Sequence, residues 1–150
     1  MVVKILAVGD VCGQPGLDAL EKRLKPFQKE NGIAFTVVNG ENANVVGITP
    51  KQADLIFRAG ADVITLGNHT WTRTELQPYL EERTRILRPA NYAPQCPGRG
   101  IAVFSRDFGD VCVPQTALAR PSSRKPIARF SLVPSAWKST RMIFSLISAM

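Results

Sequence analysis

The feature that most constrains this chain is a pattern that occurs three times. An apolar run short enough for a strand ends each time in a polar cluster that contains glycine. Residues 2–8 are apolar apart from Lys4 and lead into Gly9-Asp10-Val11-Cys12-Gly13. Residues 35–38 lead through Asn39 into Gly40-Glu41-Asn42, and residues 63–66 lead into Gly67-Asn68-His69-Thr70-Trp71. Near-continuous apolar strands are those buried on both faces, as in a parallel sheet. In open α/β sheets, ligands sit beyond the carboxyl ends of the strands. Parallel neighbours would therefore bring Asp10, Glu41, Asn42, Asn68 and His69 to one edge.

The segments between these runs read as helices. Residues 17–31 carry Leu17, Leu20, Leu24 and Phe27 on one face and end near Asn31-Gly32. Residues 9–16 are expected as a loop. Thr49 is a good N-cap with Pro50 at the first helical position, and that helix should stop at Gly60. A third helix is expected over residues 72–80, ending near Arg83. Residues 101–104 and 111–113 read as two further strands joined by a hairpin turn at 107–110. This order implies an α/β fold, a parallel sheet covered by helices.

The net charge of +7 invites a nucleic-acid reading, but its distribution argues against one. Residues 1–113 hold 13 Lys+Arg and 12 Asp+Glu, a net of +1. Residues 114–150 hold 6 Lys+Arg and no acidic residue, with four prolines and seven serines. The basicity belongs to the tail, whereas a nucleic-acid-binding domain shows a basic face of its own. No stretch approaches the roughly 20 apolar residues of a membrane span. The start has no signal-peptide pattern, so the cytoplasm is the expected location. The three cysteines Cys12, Cys96 and Cys112 have no metal-type spacing and are expected as reduced thiols.

The strand-end residues are hard oxygen donors plus one imidazole. Taken singly, each has a plainer reading. Asp10 is placed to cap a helix, Glu41 to be a surface carboxylate, and His69 to be a loop histidine. The glycines at 9–16 could cradle a nucleotide, although the G-x-G-x-x-G spacing is missing. Arg88 in Arg88-Pro89-Ala90-Asn91-Tyr92 could contact a phosphate or pin a loop.

The order Gly-Asp-x-x-Gly, Gly-Glu-Asn, Gly-Asn-His resembles that of the calcineurin-like metallophosphoesterases. The longer runs Gly9 to Gly16, Val38 to Ala43, Gly47-Ile48-Thr49-Pro50, Leu66 to Trp71 and Arg88 to Tyr92 are similar to the YmdB-type bacterial family. The resemblance covers about residues 3–113. It implies a metallophosphoesterase-type β-sandwich flanked by helices, cut down to its N-terminal β-α-β-α-β-α-β-β part. It implies hydrolysis of phosphodiesters such as cyclic nucleotides at a pair of iron or manganese ions. Carried over by position, Asp10 would ligate the first metal, Glu41 would bridge both, Asn42 would complete the first and Asn68 would ligate the second. His69 would be the general acid.

The family also draws imidazole ligands from its C-terminal half, and this chain has only His69. The resemblance stops at Pro114, inside an apparent strand, where a natural boundary would fall in a loop. A shifted reading frame after about residue 113 is therefore expected. Back-translated codons for residues 137–148 can be read two bases on as an acidic strand ending Val-Asp-Phe. Residues 1–113 are thus expected as half a domain, and 114–150 as a basic, Ser/Pro-rich, poorly ordered tail that leaves an open sheet edge. Three functions stay open: a phosphodiesterase lineage with this chain inactive, a non-catalytic nucleotide-binding module, and a basic-tailed interaction protein. A homo-oligomer is also left open.

Overall fold

The structure is a computed structural model that describes residues 2–115, with two further strands at 131–133 and 141–148. The elements run β1 (Val2–Gly9), α1 (Gly13–Asn31), β2 (Ile33–Asn39), α2 (Pro50–Ala59), β3 (Val63–Thr65), α3 (Leu76–Glu82), β4 (Ile86–Leu87), β5 (Ile101–Arg106), β6 (Gly109–Pro114), β7 (Ser131–Val133) and β8 (Arg141–Ser148). One sheet has the order β4-β3-β2-β1-β8, with neighbouring strands parallel throughout. The second, β5-β6-β7, is antiparallel.

Alternation along the strands builds two cores, because successive side chains point to opposite faces. Leu6, Val8, Val38 and Ile64 face the helices and pack with Leu17, Leu20, Leu24, Ile56 and Leu80. Val3, Ile5, Phe35, Val37 and Val63 face the second sheet and meet Phe104, Val111 and Val113. The rings of Phe35 and Phe104 lie 5.4 Å apart across this interface. Arg106 of β5 pairs with Asp62 at 2.9 Å, tying the two sheets together. Three layers result: helices, parallel sheet, antiparallel sheet. This is the helix-flanked sandwich the sequence implied, with core residues on both faces of β1, β2 and β3.

The caps fall where expected. Thr49 Oγ1 accepts from the Gln52 amide while Gln52 Oε1 accepts from the Thr49 amide, a reciprocal capping box with Pro50 at the start of the helix. Gly32 closes α1 at φ 62°, in the left-handed region that glycine enters without steric cost.

Other bounds differ from expectation. α1 begins at Gly13 rather than residue 17, because the Gly-Pro stretch that reads as a loop supplies the first turn; Pro15 lies where an N–H has no helical partner in any case. α3 begins at Leu76, since residues 72–75 are taken up by turns, with Thr72 N–H bonded to His69 C=O and Leu76 N–H to Arg73 C=O. β4 has only two residues, too few to leave a period. The expected open edge after Val113 is also corrected: β6 runs to Pro114 and pairs with β7, and β8 lies parallel to β1 from Val2↔Arg141 to Gly9↔Ser148. The expectation of a poorly ordered tail otherwise falls on residues 116–130, 134–140 and 149–150, outside those described.

Candidate functional site

The carboxyl ends of β1, β2 and β3 are adjacent, and backbone bonds stitch their loops together. Val11 N–H donates to Asn39 C=O (3.0 Å), Gly13 N–H to Asn42 C=O (2.9 Å) and Gly40 N–H to Thr65 C=O (3.1 Å). Parallel order and short loops thus bring three sequence-distant motifs to one edge.

Four of the five strand-end candidates are bonded to one another. The Asn42 amide nitrogen donates to Asp10 Oδ1 at 2.5 Å, and its amide oxygen meets His69 Nδ1 at 2.6 Å. The His69 backbone N–H donates to Glu41 Oε2 at 3.1 Å. Asn68 is exposed between Gly67 and His69. Asp10 adopts φ 41°, a conformation that Asp tolerates better than most residues. It does not cap α1, whose N-cap is Cys12 with no side-chain bond. The helix-cap reading of Asp10 is therefore set aside.

Glycine at 67 leaves room for the close approach of Glu41. A Cβ there would lie 2.5 Å from each of its carboxylate oxygens. The Gly67 carbonyl is held by Thr70 Oγ1 at 2.6 Å and by the Tyr92 hydroxyl at 3.3 Å. Tyr92 is a site residue that reading the sequence did not assign. Burial, then the Glu41 charge, pushes its hydroxyl pKa above the ordinary 10.0. Its ring stands 6.0 Å from that of Trp71, on the loop that carries His69. The signal was present in the Arg88 to Tyr92 run, but only the fold shows that this loop returns to β3.

Arg88 is buried at 5% exposure. Its guanidinium donates to the carbonyls of Pro89 (2.9 Å), Pro97 (3.2 Å) and Cys96 (3.3 Å). That is the loop-pinning arrangement rather than a phosphate contact.

The residues present fit divalent cations in kind, with two carboxylates and two amides as hard oxygen donors. Asn39 Oδ1, at the same strand end, is buried without a hydrogen-bond partner. The donor number falls short. Among the described residues no three His, Cys, Asp or Glu side chains are grouped to hold an ion. The Asn42 oxygen is moreover engaged by His69. The wall gathers hard oxygen donors along one strand edge.

Comparison with known proteins gives the family and the fold. The sequence profile of the family described as YmdB-like protein matches residues 6–140. A Bacillus subtilis (strain 168) protein named 2′,3′-cyclic-nucleotide 2′-phosphodiesterase is 38% identical over 112 residues, which are 74% of this chain and 42% of that protein. The crystal structure of a hypothetical protein from Thermus thermophilus superposes with TM-score 0.68 at 32% identity, covering 75% of this chain and 44% of that one. A Mycoplasma pneumoniae structure described as a novel phosphatase gives TM-score 0.64 at 26% identity, covering 69% and 39%. The chain thus spans less than half the length of these relatives. With its profile matched over most of its length and its three strand-end motifs on one edge, this chain belongs to the YmdB-like protein family.

Proposed function

We propose that this chain represents the N-terminal half of a metal-dependent phosphodiesterase, whose substrate class is the 2′,3′-cyclic nucleotides. The observation that carries this reading is the run His69–Asn42–Asp10, with Glu41 under the His69 amide, assembled from the ends of three adjacent strands. The family and the names of its relatives point to phosphodiester hydrolysis and divalent metals.

Asp10, Glu41, Asn42 and Asn68 would hold one side of a pair of iron or manganese ions, which when bound would neutralise charge on the phosphate. His69 has a separate task. An amide oxygen only accepts, so its contact with Nδ1 keeps a proton there and leaves Nε2 to carry the transferable one. An imidazole placed so can hand a proton to a leaving alkoxide. Asp10 accepts the Asn42 N–H and so fixes which end of the amide faces the ring. Arg88 and Tyr92 act one step back, by pinning the 88–97 loop against Gly67.

By itself the 150-residue chain is proposed to be inactive, because one imidazole and four oxygen-bearing side chains supply too few donors for a pair of metal ions. A shifted frame after about residue 113 accounts for a tail with no acidic residue. Sequencing the gene tests this: a shifted frame that runs straight to a stop codon would refute it. The cytoplasm remains the proposed location; no helix among the described residues is long and apolar enough to cross a membrane.

The test is hydrolysis of bis(p-nitrophenyl) phosphate by the frame-restored protein with added manganese or iron. The expected result is metal-dependent turnover that His69→Ala lowers by about 100-fold or more. No turnover by the restored protein would overturn the assignment, and stoichiometric metal in the unaltered chain would overturn its inactivity.

A further inference from the structure

A groove of about 810 Å³ runs beside β5, on the far side of the molecule's second sheet from β6 and β7. Its walls are β5 itself and Thr84, Arg85 and Asp62. It closes at Arg99, where the chain bridges to β4 through Leu87. Hydrogen-bond parity identifies what β5 leaves unpaired along it. Gln115 N–H donates to Gly100 C=O, and Ile101 faces Pro114, which has no N–H. Antiparallel pairs alternate between bonded and non-bonded, so 102, 104 and 106 bond to β6. The N–H and C=O groups of Ile101 and Val103 and the N–H of Ser105 therefore point into the groove, while the Ser105 carbonyl accepts from Arg106 Nη1 at 3.0 Å. The side chains of Ile101 and Val103 stand on the outer face, 54% and 56% exposed.

The groove is also cationic. Arg85, Arg99 and Arg106 line it against a single carboxylate, Asp62, which Arg106 already engages. Arg85 spends Nε and one Nη on the carbonyls of Asp62 and Ala61, leaving its other Nη free of those bonds. The chain's own tail is a poor occupant, since residues 114–150 carry six basic and no acidic residues. A second copy of this sheet edge is also a poor fit, because each copy brings its own wall of Thr84 and Arg85 beside the strand.

We propose that this groove takes an extended acidic segment of a partner protein, added as a further strand on β5. Strand alternation sets its pattern. Residues on the outer face continue the apolar stripe of Ile101 and Val103, and those on the inner face are Asp or Glu over Arg85 and Arg106.

The probe is a fluorescein-labelled peptide alternating valine and glutamate, titrated into the 150-residue chain and followed by anisotropy. Saturable binding is expected, weakened about tenfold by Arg99→Glu and by raised salt. Val103→Pro should abolish it while the fold persists, because proline is tolerated on an edge strand where the N–H faces outward. Circular dichroism of both variants checks the fold. No saturation below about 1 mM, equal binding of a valine–lysine peptide, or unchanged binding by both folded variants would each overturn the proposal. So would a dimer of the chain that Val103→Pro dissolves.

Discussion

Replacement of Gly67 by alanine tests whether Glu41 is held where the site geometry requires. A methyl group at 67 would lie 2.5 Å from both Glu41 oxygens, against an ordinary contact of 3.4 Å or more. Either the carboxylate or the β3 loop must therefore move by about 0.9 Å, the difference between those two distances. The 3.1 Å bond from the His69 amide to Glu41 Oε2 does not survive such a shift. A hydrogen bond to a charged group is worth about 1.5–3 kcal/mol, and half-burial places this one near the lower end. The carboxylate is the far end of a flexible side chain, so overpacking adds little beyond the lost bond. The backbone at 67 needs no left-handed φ, so alanine gains about 0.4–1 kcal/mol by restricting the unfolded chain. The net expectation is a loss of about 1 kcal/mol, read as a lower midpoint in urea with an unchanged slope. In a Glu41→Ala background the methyl meets no carboxylate, so the same substitution should become stabilising. That change of sign is the decisive reading. If Gly67→Ala costs the same with and without the Glu41 carboxylate, the close approach is not what glycine serves here.

Thr49→Ala should cost about 1 kcal/mol in urea unfolding, because it removes one arm of the capping box on α2. Tyr79, partly buried and bonded to Asp54, has its hydroxyl pushed up from 10.0 to about 12, by burial first and then by Asp54. Its raised pKa in the folded state gives a contribution that is present below pH 10 and lost as pH rises toward 12. Stability measured across that window should therefore fall more steeply in the parent than in Tyr79→Phe. Asn42→Ala should free His69 Nδ1, and nitrogen NMR of the ring should then show both neutral tautomers where the parent shows the Nδ1-protonated form. Phe35→Ala, at 1% exposure between the two sheets, should cost about 3–5 kcal/mol and separate them cooperatively in thermal unfolding.

Local chemistry made much of this chain legible. Continuous apolar runs marked β1, β2 and β3, because a strand buried on both faces carries no polar period. Thr49-Pro50 and Gly32 marked helix ends, since capping and left-handed backbone depend on a few neighbouring residues. The motif order at the strand ends likewise pointed to one edge, given only that the strands are parallel. Tertiary structure decided the rest. Whether Asp10 caps a helix or joins Asn42 turns on a loop conformation that no periodicity encodes. Two-residue β4 is too short to leave a period in the sequence, and its pairing with β3 and its bridge to Arg99 define it. Arg88 became a loop pin only when the carbonyls of Pro89, Cys96 and Pro97 closed around it. Tyr92 reached the site through a return of the chain across 25 residues to Gly67. The sequence determined which groups lie at the strand ends; the packing of three layers determined which of them touch, because contacts between distant segments are set by shape and burial rather than by local order.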